Sequence, residues 1–340
     1  MVSAEWPRWY ASQQASVFVW GNSTHNADLI PCNGLDCATI PAAVRLLGVR
    51  DIRISNCSFR HLGGAGLSLS GGTQNATVQG CELMDISASG LTIGTAMSGY
   101  DALALEQRDA QIAVLDNRIE HVAQEFFGAV GILTTFTHNL TILHNEIAHV
   151  SYSCVSIGWG WWSRAPLALS SHTEVGWNEC WDHMRVLGDG GGIYTDSPMP
   201  GTTVHHNYVH DEANRTVNPD RVANDGGAFY HDGGSTGIVN SYNVVRNPYN
   251  PHARLLWASS IPAWQVHNVT VEFLYSDCLD QHCFGSFCAS DCNVTNLTAV
   301  SAKSIADWPA EARSVILNAG VRSGWRSYSA DLDAVDEYLR

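Results

Sequence analysis

Lysine is almost absent from this chain of 340 residues, where Lys303 is the single example. With 18 basic residues against 33 acidic ones the formal net charge is −15, and charged residues make up only 15% of the sequence. That balance argues against nucleic acid and strongly anionic polymers as partners, because both demand cationic surface. Long apolar runs are missing as well. No stretch approaches the roughly 20 residues of a membrane-spanning helix, so no membrane partner is expected. Nor does Met1 to Trp20 read as a signal peptide, since Glu5, Pro7, Arg8 and two glutamines interrupt it. Linkers rich in proline or serine are absent too, which leaves one elongated domain, expected as a monomer. We place it at 44–300, after a segment 1–43 expected to be the remainder of a truncated upstream region. A tail with a short helix follows at 301–340.

The residues present point to strands and turns: 45% are hydrophobic and 30 are glycine. Among the ten cysteines, Cys32 and Cys37 share one short loop, and Cys278, Cys283, Cys288 and Cys292 form a terminal group. The spacing of that group lacks the paired C-x-x-C of a zinc site, so disulfides are expected there rather than a metal. Eight N-x-S/T sequons occur, at Asn22, Asn56, Asn75, Asn139, Asn214, Asn268, Asn293 and Asn296. Some are expected to be strand residues that match by accident. Together with the cysteines they favour a secreted glycoprotein, even though the chain shows no signal peptide.

From about residue 44 a unit recurs. It has a short alternating strand, an Asn or Cys two residues before an apolar residue, a polar turn, and a second apolar strand near glycine. First strands run through Ile52–Phe59, Ala76–Leu83, Ile112–Ile119, Leu140–Ile147, Val204–Val209 and Ile238–Val245. Second strands follow at Gly66–Leu69, Gly90–Ile93, Val130–Leu133, Val155–Ile157, Ile193–Tyr194 and Phe229–Tyr230. Markers such as Cys57 and Cys81, or Asn207 and Asn243, lie 24 and 36 residues apart, a spacing that suits one coil of a solenoid. Strands this short bury nothing alone, so stacking must make the core. The expected fold is therefore all-β, a right-handed parallel β-helix. Cys57 and Cys81 are expected to stack inside it as apolar cysteines.

Within the series one pattern occurs twice, Asp189-Gly-Gly-Gly-Ile-Tyr-Thr-Asp196 and Asp225-Gly-Gly-Ala-Phe-Tyr-His-Asp232, 36 residues apart. If each copy lies on one coil, Asp189 stacks with Asp225 and Asp196 with Asp232, and four carboxylates share one surface. Paired carboxyls at about 5 Å suit a retaining glycosidase, and at about 6.5–9.5 Å an inverting one. Both geometries stay open. The structural alternative is that Asp-Gly-Gly marks a turn, with aspartates bonding backbone amides or binding calcium, the one ion considered.

The stretches His144–Ile147, Tyr152–Trp161, Asp189–Tyr194 and Tyr230–Ser235, with Trp308–Gly320 behind them, together resemble secreted right-handed β-helix glycoside hydrolases. The resemblance is to families 141 and 120, within the pectate-lyase-like superfamily. It implies hydrolysis of glycosidic bonds in a neutral plant- or algal-type polysaccharide or oligosaccharide, of the fucoside, xylan or xyloside class, and no organic cofactor. It also implies Asp189 and Asp232 as the functional acids, with Asp196 and Asp225 behind them. Around these acids, Trp159, Trp161, Trp162, Tyr194 and Tyr230 are expected to hold sugar rings and hydroxyls, with His231 bonding a hydroxyl or tuning Asp232. One position departs from the pattern. Gly233 follows Asp232 where many relatives carry an acid, which keeps a non-catalytic carbohydrate-binding β-helix as the alternative. A polysaccharide lyase is the second alternative, disfavoured because its usual cationic base has few candidates here.

Overall fold

A computed structural model describes residues 17–19, 37–94, 104, 107–158, 170–213, 226–247, 256–258, 266–278, 291–301 and 304–325. Each coil contributes three strands, so the two-strand unit read from sequence is corrected. What looked like one first strand is two, bent at the Asn or Cys marker: Asp109–Leu115 then Arg118–Val122, or Thr137–Leu143 then Glu146–Ala148. The first-half strands stack in parallel as one sheet, from Arg50–Ser55 through to His267–Ser276. Second-half strands form another, from Ser58–Leu62 to Val244–Arg246, and both meet the long strand His267–Ser276. A third sheet of eight parallel strands runs from Ala42–Leu47 to Leu256–Ala258. The structure also adds a coil that the marker series skips, Ser171–Gly176 with Glu179–Trp181. Among the described residues no helix is long and apolar enough to cross a membrane.

Period-2 alternation sends one side of every strand inward. Val78, Val114, Ile142, Val175 and Val204 line up from the first sheet, and Leu83, Ile119, Ile147 and Val209 from the second. Leu69, Ile93, Ile157, Ile193 and Phe229 complete the core from the third. The sharp corner between the first two sheets needs a left-handed residue, supplied by Asp116, His144, Trp177, His206 and Tyr242, all with φ between 53° and 57°. Such backbone costs a non-glycine residue energy, so neighbouring bonds must hold it.

Those bonds come from the next residue of each coil, asparagine. Asn145 donates from Nδ2 to Asn178 Oδ1 (2.9 Å) and to Val114 O (3.0 Å), while its backbone N–H also reaches Asn178 Oδ1 (2.9 Å). Asn117, Asn178, Asn207 and Asn243 continue the same column. Outside the corner, His144, Trp177, His206, Tyr242 and Phe273 stack ring upon ring.

At the column's start, Cys81 is buried as expected, with burial foremost among the causes that push its thiol up to about 11. Cys57 is exposed, a correction with a simple cause. It lies just after strand Arg50–Ser55, the terminal member of its sheet, and among the described residues no further coil packs on that side. Five sequon asparagines, Asn56, Asn75, Asn139, Asn268 and Asn296, are exposed and sit at positive φ. Asparagine is favoured there by backbone need alone, which explains why so many sequons occur.

The chain then doubles back as a strap. Trp308 and the helix α1 (Ala310–Asn318) pack Ala312 and Val315 on Tyr208, Val244 and Tyr275. Beyond α1, Gly320 N–H donates to Trp177 O (2.8 Å), and Arg322 clamps Asp116 through Nε (2.7 Å) and Nη2 (2.5 Å). Cys154 is disulfide-bonded to Cys180. Of the terminal group, Cys278 and Cys292 are disulfide-bonded, while Cys283 and Cys288, like Cys32, lie outside the described residues.

Candidate active site

The doubled motif stacks in register. Strand Gly190–Thr195 pairs in parallel with Gly226–His231, matching Gly190 to Gly226, Tyr194 to Tyr230 and Thr195 to His231. Asp189 and Asp225 therefore precede equivalent positions, and Asp196 and Asp232 follow them, although Asp225 itself lies outside the described residues. The glycines do not form a turn, contrary to the structural alternative above. All three of Gly190, Gly191 and Gly192 belong to the strand, where close packing leaves no room for a side chain. A Cβ on Gly190 would fall 2.4 Å from the Tyr152 ring, and one on Gly191 2.4 Å from Gly227 O. The bend is made by Asp189 itself, at φ 59°.

Three tyrosine hydroxyls hold this surface. Tyr152 donates to the backbone carbonyl of Asp189, Tyr230 donates to Asp189 Oδ1 (2.9 Å), and Tyr194 donates to Asp232 Oδ2. The other oxygen of Asp232 accepts the Gly233 N–H (2.7 Å). Asp232 N–H in turn continues the ladder to Thr195 O (2.8 Å). Tyr194 and Tyr230 meet edge to face, 5.2 Å apart. Burial, then the nearby Asp189 and Asp232 carboxylates, push Tyr152 and Tyr230 well above the ordinary phenol value, with Asp196 adding to the shift of Tyr152. Tyr194 is raised in the same way by burial, Asp232 and Asp196. All three stay protonated and can only donate towards the acids.

The predicted residues divide clearly. Asp189, Asp232, Tyr194 and Tyr230 gather at one place, and Asp196 lies fully buried at the far end of the strand that Asp189 opens. His231 does not join them. It is 1% exposed and shares the inward face with Phe229, where Nδ1 meets Thr195 Oγ1 (2.8 Å) and Nε2 faces Asn240 Nδ2 (3.4 Å). Burial lowers its pKa to about 4, so it stays neutral on that inward face. Trp159, Trp161 and Trp162 lie outside the described residues. Tyr152 was not among the site residues expected from sequence, although it opens the stretch Tyr152–Trp161 that carried the resemblance.

Comparison with known proteins agrees with this architecture. The family model for the right handed beta helix region matches residues 15–270. The solved structure of a glycoside hydrolase superposes with a TM-score of 0.61 at 20% identity, covering 92% of this chain and 46% of the other. The chain thus spans less than half the length of that protein. An alginate lyase from Paenibacillus sp. str. FPU-7 aligns over 75% of this chain and 80% of its own, at 12% identity and a TM-score of 0.30. No curated protein matches in sequence. With three parallel sheets, an inner asparagine column and a matching model over most of its length, the chain belongs to the right-handed parallel β-helix family.

Proposed function

We propose that this protein is a carbohydrate-active β-helix hydrolase, cleaving glycosidic bonds in a neutral polysaccharide or oligosaccharide of the fucoside, xylan or xyloside class. The observation that carries the reading is the set of three buried tyrosines oriented on two aspartates of stacked coils. Tyr230 and Tyr194 fix the orientation of the two carboxyls and Tyr152 holds the Asp189 backbone, the positioning that paired-carboxylate chemistry requires. Asp232 accepts a bond on each oxygen, which suits a carboxylate acting as nucleophile or as base towards water. Asp189 is the more exposed of the two, and protonates the leaving oxygen. The Gly233 N–H also holds Asp232, from a position that carries no acidic side chain in this chain. A secreted setting fits the Cys154–Cys180 disulfide.

Turnover of a glycan panel by wild type, Asp189→Asn and Asp232→Asn tests the assignment. Loss of a general acid lowers the rate by about 10²–10⁴-fold on natural glycans. Aryl glycosides with an activated leaving group should largely restore Asp189→Asn but not Asp232→Asn. Glycan binding without turnover, unchanged in both variants, would establish the binding-protein alternative. Cleavage of a uronate polymer abolished by a chelator would establish the lyase.

A further inference from the structure

Against Gly192, in the strand that follows Asp189, lies a second cluster of chemically active side chains, which the hydrolase reading does not use. Cys154 comes just before strand Val155–Ile157, Cys180 is in strand Glu179–Trp181, and His183 stands three residues further on. All three are buried, with His183 and Cys154 at 0% exposure and Cys180 at 2%. Neither ring nitrogen of His183 has a hydrogen-bond partner. A buried imidazole normally places its N–H and its lone pair on partners, because leaving them bare forfeits the hydrogen bonds that water would supply. One ligand atom from each residue lies within 4.8 Å of the others.

We propose that Cys154, Cys180 and His183 form a metal site for a soft divalent ion of the zinc class, filled when the disulfide is reduced and closed when it forms. Two thiolates and a neutral imidazole are the donors zinc prefers, and zinc bonds of about 2.3 Å to sulfur and 2.0 Å to nitrogen need ligand atoms about 3.5–3.8 Å apart. The observed cluster reaches that spacing by separating the two sulfurs. The fourth position falls to a water molecule.

The chemistry balances with a phosphine as reductant. The S–S bond breaks, phosphorus is oxidised by two electrons and takes the oxygen of one water, and the two protons of that water go to the two sulfurs. Binding the ion then displaces both thiol protons to solvent, while His183 supplies its lone pair. The site and the disulfide are thus mutually exclusive states of the same three residues.

The test uses the full chain, oxidised or reduced by phosphine under argon, titrated with Co²⁺ and then with Zn²⁺. The reduced protein should take up one Co²⁺ more than a Cys154→Ser/Cys180→Ser double variant, which controls for the other cysteines. This uptake should show near-ultraviolet thiolate-to-cobalt absorption that Zn²⁺ abolishes, and the oxidised protein should lack it. His183→Gln, which keeps the disulfide, should weaken binding by more than about a hundredfold, beyond the loss expected for an outer-shell partner. Equal uptake by the reduced wild type and the double variant would overturn the proposal. So would undiminished affinity in His183→Gln, or loss of the β-sheet circular dichroism on reduction.

Discussion

Replacing Asn178 by alanine removes one rung of the inner amide column. Its Oδ1 accepts the Asn145 N–H (2.9 Å) and Asn145 Nδ2 (2.9 Å), while its Nδ2 donates to Ile142 O (2.9 Å) and Asn207 Oδ1 (3.0 Å). Asn145 Nδ2 keeps Val114 O and Leu143 O as acceptors, and Asn207 Oδ1 keeps the Asn178 N–H (3.0 Å). Two groups lose their side-chain partner deep inside the coil, the Asn145 N–H and Ile142 O. At about 1–3 kcal/mol per unsatisfied buried group, the expected loss is about 2–6 kcal/mol. That is a large share of the 5–15 kcal/mol typical of a folded domain. Urea unfolding followed by far-ultraviolet circular dichroism reads it as a lower midpoint at unchanged slope. A loss below about 1 kcal/mol would refute the idea that the column holds the strained corners in place.

Gly190→Ala would drive the Tyr152 ring from its place, since the added Cβ would lie 2.4 Å from it. Overpacking of about 1–3 kcal/mol is expected, together with lower turnover, read by thermal melting and by glycan assay. Arg322→Ala should cost about 1–3 kcal/mol, less than a fully buried pair because the guanidinium is half exposed. Burial opposes the Asp116 carboxylate, yet Arg322 and Gln79 outweigh it and hold its pKa below 3.8. The wild-type advantage over Arg322→Ala should therefore persist at neutral pH and fade only as the pH falls through that depressed value. His231 has its pKa lowered from 6.5 to about 4 by burial, so the unfolded chain takes up its proton first. Stability should fall as the pH drops through that window, and a His231→Gln variant should show a flatter denaturation midpoint against pH.

The coils were legible because an Asn or Cys marker and an alternating strand repeat at similar spacing. The coil of Asn178 escaped because its strand Ser171–Gly176 sends only Val175 into the apolar core, so polarity hid the alternation. Splitting each first strand in two was equally hidden, since the corner is made by ordinary residues such as His144 and Trp177 held at positive φ. The stacked acids followed directly from the duplicated motif. Tyr152 was harder to see, because it acts on Asp189, 37 residues away and across coils. The inward placing of His231 had a signal in the sequence. His231 alternates with Tyr230 and shares parity with Phe229, which marks the inward side.

The amide column also bears on how such a chain changes length over time. Each interior asparagine gives to one neighbour what it receives from the other, so any middle coil is interchangeable with the next. Gain or loss of a whole coil leaves the bonding per rung unaltered, whereas gain or loss of part of one strands an amide. Growth of this fold is therefore quantised. The places where the column stops, at Cys81 on one side and Asn240 on the other, are where selection must find a different residue.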